Sequence, residues 1–69
     1  MKPGDPAWDA LVRAERRVLV ASVLRVVGAA RLDLAEDVAQ EALLAALATW
    51  PYHGMPEQPG AWLRRVARN

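Results

Sequence analysis

The sequence predicts an all-α fold, a small three-helix bundle. Apolar residues recur at helical spacing in three segments, and residues suited to helix ends fall between them: Asp5-Pro6, Gly28, Pro51 and Pro59. No segment offers partners for strand pairing. With 69 residues and 54% hydrophobic residues, much of it alanine, valine and leucine, the chain makes one domain spanning 1–69. A core of that size is only marginally sufficient, and the alanine content suits helices that approach closely.

The first helix is expected over about 6–27. Asp5 serves as N-cap, Pro6 fits the first helical position, and Gly28 is a C-cap. Residues 1–5 are expected to fray. Trp8, Leu11, Val12, Leu19, Val23, Val26 and Val27 form the apolar stripe, with Arg13, Arg16, Arg17 and Arg25 mostly off it. The valine-rich part could alone be a buried strand, but its length and the lack of pairing partners decide for helix. The short connection from Gly28 to Leu32 implies an antiparallel hairpin with the next helix.

The second helix is expected over about 33–50, with Asp33 as N-cap, Glu36 closing a capping box, and Pro51 as the stop. Leu34, Val38, Ala42 and Ala45 line one stripe, beside Ala35, Ala39, Leu43 and Ala46. Glu36, Asp37, Gln40 and Glu41 share the opposite face, which turns apolar further along at Leu44, Leu47 and Ala48. Either another helix of the chain covers this strip or a partner protein docks on it.

Residues 51–60 contain three prolines and two glycines and read as a stiff loop, which either seals the core or forms a binding rim. The third helix is expected over about 58–68, with Trp62, Leu63, Val66 and Ala67 on one side and Arg64, Arg65 and Arg68 on the other. The full core is expected to include Leu11, Leu19, Val23, Val27, Leu34, Val38, Ala42, Leu63 and Val66.

Several function classes are disfavoured. There is no cysteine and a single histidine, His53, so a thiolate metal site, a disulfide and a catalytic relay all lack their residues. An enzyme is the least favoured class, and no cofactor is implied. The chain holds no apolar run long enough for a membrane span and no signal-peptide core, which suits a cytoplasmic protein. Net charge is only +1, but it alternates along the chain. Residues 1–31 carry six Lys/Arg against three acids, residues 32–57 five acids and no base, and residues 58–69 three arginines and no acid. Such a pattern suits two surfaces with two partners, or self-complementary packing of the segments. An acid-free arginine face beside a tryptophan fits phosphate contact plus base stacking.

Asp37-Val38-Ala39-Gln40-Glu41-Ala42, joined to Ala61-Trp62-Leu63 and Ala67-Arg68-Asn69 at this spacing, resembles region 2 of bacterial sigma factors. Within the sigma-70 family the likeness is to the extracytoplasmic-function group, and the loop from Gly54 to Pro59 resembles one subgroup of it. The match covers about residues 8–69. The resemblance implies a transcription-initiation module. Its second helix would bind the clamp helices of the largest subunit of RNA polymerase core through Asp37, Gln40, Glu41 and Leu44. Its loop and last helix would meet the −10 promoter element as it opens. There Trp62 and Asn69 would contact unpaired non-template bases, and Arg64, Arg65 and Arg68 would hold phosphate. An anti-sigma factor is a further partner that the resemblance allows. Leu43 stands where such factors often carry an aromatic residue. The C-terminal part of region 2 and the helix-turn-helix of region 4 lie outside these residues, so a truncated module is expected. Two alternatives stay open: a helix-turn-helix regulator with 59–69 as recognition helix, and a helical interaction module without DNA binding.

Overall fold

The computed structural model describes residue 2 and residues 4–69, and it has three helices: α1, Pro6–Val27; α2, Leu32–His53; and α3, Pro59–Arg68. A single 3-10 turn, Ala29–Arg31, links the first two. The all-α bundle is as expected, and the described residues contain no strand. α1 and α2 are antiparallel, since Trp8 meets Trp50 and Arg16 reaches Glu36.

α1 starts at Pro6, but Asp5 makes no side-chain cap. Its Oδ2 accepts a hydrogen bond from the Lys2 backbone N–H at 3.0 Å instead. Of the segment expected to fray, Met1 and Pro3 lie outside the described residues. Gly28 ends α1 at φ 99, a value that glycine adopts without a Cβ penalty.

α2 departs from expectation at both ends. It begins at Leu32, with Arg31 at the N-cap and no side-chain cap hydrogen bond, so the Asp33–Glu36 capping box does not form. Asp33 lies in the first turn, where the helix dipole favours its charge, and Glu36 turns to Arg16 of α1 at 3.7 Å. At the other end the helix runs through Pro51 to His53. A proline there removes the bond to the Leu47 carbonyl, but Leu47 is exposed and water can serve that oxygen. The true stop is Gly54, whose N–H bonds the Trp50 carbonyl at 2.9 Å. The expected loop therefore shrinks to 54–58, and α3 starts at Pro59 after an N-cap at Gln58.

The core is also redistributed. Leu19, Ala42 and Leu63 are buried as expected, but so are Trp8, Ala35, Ala39, Ala46 and Trp50. Leu11, Val23 and Val66 are half-buried and pack against that cluster. Val27, Leu34 and Val38 are only half-buried. The seam of α2 is thus Ala35, Ala39, Ala42, Ala46 and Trp50, rotated from the stripe expected through Leu34 and Val38. Alanines at the contact line let the backbones of neighbouring helices approach closely, which larger side chains would prevent.

Candidate functional site

α2 presents two faces of opposite character. Across the helix from the alanine seam, Asp37, Gln40, Glu41, Leu44, Leu47 and Ala48 are all exposed. Leu44 is 53% exposed and Leu47 41%, so no helix among the described residues covers the strip. This settles the choice between internal cover and an open surface. The strip starts with two carboxylates and an amide and continues, one to two turns on, as an aliphatic patch. It therefore offers charge and hydrogen bonding at one end and an apolar contact at the other.

The second feature lies at the start of α3. Pro56, Glu57 and Gln58 from the connection and Ala61, Trp62, Arg65 and Arg68 from α3 line an open cleft of about 410 Å³. Proline at the first helical position of α3 and three prolines within 51–59 give the rim a stiff backbone. Trp62 is half-buried: it is among the residues that line the cleft and it also packs against the core cluster. The ring packs edge-to-face on Trp50 at 5.2 Å, and Trp50 packs likewise on Trp8 at 6.1 Å. The three tryptophans, one from each helix, lock one end of the bundle together.

The arginines do not act as one face. Arg65 and Arg68 border the cleft. Arg64 is half-buried on the other side, where it lines an apolar groove of about 360 Å³ with Leu19, Val23, Val26 and Arg68. Nor is the surface free of acid. Glu57 lines the cleft beside Arg65 and Arg68, and Glu15 of α1 approaches Gly60 so closely that a Cβ there would sit 2.8 Å from its Oε2. Asn69 is exposed, and its backbone N–H is held by the Arg65 and Val66 carbonyls, so it keeps helical register with α3. Trp50 and Glu57 are the neighbours that the sequence did not single out. Three tryptophans in a chain without phenylalanine were the available hint.

Among the described residues, no three His, Cys, Asp or Glu side chains are placed to hold a metal ion, and no helix is long and apolar enough to cross a membrane.

The Sigma-70 region 2 family model matches residues 11–69. The chain belongs to the sigma-70 region 2 family. A helix-turn-helix identity for 59–69 is thereby set aside, since those residues fall within the region 2 match. The chain is also 41% identical over 66 residues to an uncharacterized protein of Rhizobium meliloti (strain 1021). That alignment takes in 94% of this chain and 15% of the relative, so the chain spans about a seventh of the relative's length. No solved structure matches the chain.

Proposed function

We infer that this domain serves in transcription initiation as the part of an extracytoplasmic-function sigma factor that joins RNA polymerase to opening promoter DNA. The observation that carries the reading is the bare strip on α2. Its acids and amide, Asp37, Gln40 and Glu41, meet the polar rim of the clamp helices of the largest polymerase subunit, and Leu44 and Leu47 meet their apolar part. Family membership supports the same reading. The cleft at the start of α3 receives an unpaired non-template base of the −10 element. Trp62 supplies the stacking surface and Arg65 and Arg68 the positive track, with Asn69 placed to hydrogen-bond a base edge. Such a site favours single strands, because duplex reading needs side chains in the major groove, whereas stacking needs an open π-face. Nothing in this role is enzymatic: the domain binds and holds, and the chemistry belongs to the polymerase.

The test is a pull-down with the isolated clamp helices. Gln40→Ala with Glu41→Arg is expected to lower affinity at least tenfold, because a reversed charge facing a basic partner repels it. The helical signal should be unchanged, since both positions are exposed. Wild-type affinity in the double variant would remove the reading.

A further inference from the structure

Trp50 is 5% exposed, and its indole Nε1–H has no hydrogen-bond partner among the described residues. A buried donor without an acceptor is destabilising, a cost that the packing of the indole must offset. What the indole does instead is touch two rings. It meets Trp62 at 5.2 Å with an interplanar angle of 66°, and Trp8 at 6.1 Å with an angle of 76°. The backbone of Trp50 is fixed as well, because its carbonyl accepts the Gly54 N–H and the rigid Pro51 follows it within α2. Trp50 is therefore an anchored wall, and the ring of half-buried Trp62, a residue of the cleft lining, packs on it.

We propose that Trp50 is a positioning residue for base stacking: it holds the Trp62 ring in the one orientation that an unpaired base can stack on. This rests on the reading of the cleft as a single-strand site. An aromatic platform held before binding loses less side-chain freedom when a base arrives, so the gain from stacking is retained. Trp8 also packs on Trp50, but the ring pairs among the described residues are Trp8–Trp50 and Trp50–Trp62, so Trp62 leans on Trp50 alone of the two. That difference supplies the control.

The experiment titrates the 69-residue chain with a single-stranded oligonucleotide of −10-like sequence and with the same oligonucleotide made abasic at the stacking position. Phosphate contacts are common to both, so the affinity ratio isolates stacking. A wild-type ratio of about tenfold is expected for one stacked base. Trp50→Phe should lower the ratio at least threefold, while Trp8→Phe should leave it within twofold at a similar loss of stability. Equal weakening of both oligonucleotides by Trp50→Phe would assign the residue a purely structural role and overturn the proposal. A wild-type ratio of one would overturn the cleft reading itself. Should either Phe variant lose its helical signal, the wild-type chain still decides. The Trp50 indole N–H resonance should move on adding the intact oligonucleotide and not the abasic one, and a resonance that moves with neither, or with both alike, refutes the proposal.

Discussion

The two ends of the bundle carry the same apolar stripe of α1 and treat it differently. At one end Trp8 is buried against Trp50, which in turn meets Trp62. At the other, Val26 lies at the same angular position of α1 as Trp8 and Leu19, yet it is 83% exposed. α1 and α2 have 22 residues each, and the ten residues of α3, Pro59–Arg68, cover only part of the hairpin that these two form. Rigidity is thus concentrated where the cleft is built, and the valine end contributes an open groove of Val23, Val26, Val27 and Val38. A domain of this size has roughly 3–10 kcal/mol of stability to distribute, at about 0.05–0.15 kcal/mol per residue. Most of it should reside at the tryptophan end.

The widest contrast comes from truncating the stripe at each end. Trp8→Ala removes a large buried side chain and should cost about 3–5 kcal/mol, enough to unfold much of the population at room temperature. Val26→Ala should change stability by less than about 0.5 kcal/mol, since little packing is lost and alanine is the better helix former. Urea titrations followed by circular dichroism compare the two. Similar midpoints for both variants would mean that the ends are packed alike.

A smaller effect probes the cleft. Glu57 lines it beside Arg65 and Arg68, so its carboxylate would oppose a phosphate bound there, as the proposed function has it. Glu57→Gln should strengthen single-strand binding about twofold to threefold at low salt, and the gain should fade as salt screens an exposed charge. Anisotropy at two ionic strengths checks this. Weaker binding in the variant would show instead that Glu57 holds the loop or contacts a base.

The sequence predicted the helices well where chain chemistry is local. Asp5-Pro6, Gly28 and Pro59 mark true ends because ring geometry and positive φ act on single residues. Pro51 misled, because the burial of Trp50 holds the chain helical through a proline whose lost hydrogen bond falls near the helix end. The seam of α2 was illegible in detail. That helix is apolar nearly all round in its second half, so periodicity could not choose between Leu34–Val38 and Ala35–Ala39. The choice was made by how closely a neighbouring helix can approach. The exposed strip was legible in content, as acids and amide running into leucines, but whether the chain covered it depended on the placement of α1 and α3. The arginine face divides between two hollows for a similar reason. A wheel drawn for ten residues does not show that Arg64 falls on the groove side and Arg65 on the cleft side, with Arg68 between them.

The proposed single-strand site can be tested directly in the 69-residue chain by nuclear magnetic resonance, because its three tryptophans give three indole N–H signals in an uncrowded region. Titration with a single-stranded −10-like oligonucleotide should shift the Trp62 indole most, the Trp50 indole less, and the backbone amides of 56–58, Arg65 and Arg68 with them. The amides of Val26 and Val27 should stay in place. Shifts centred on the valine groove or on Arg13 and Arg17 of α1, with Trp62 unmoved, would contradict the account.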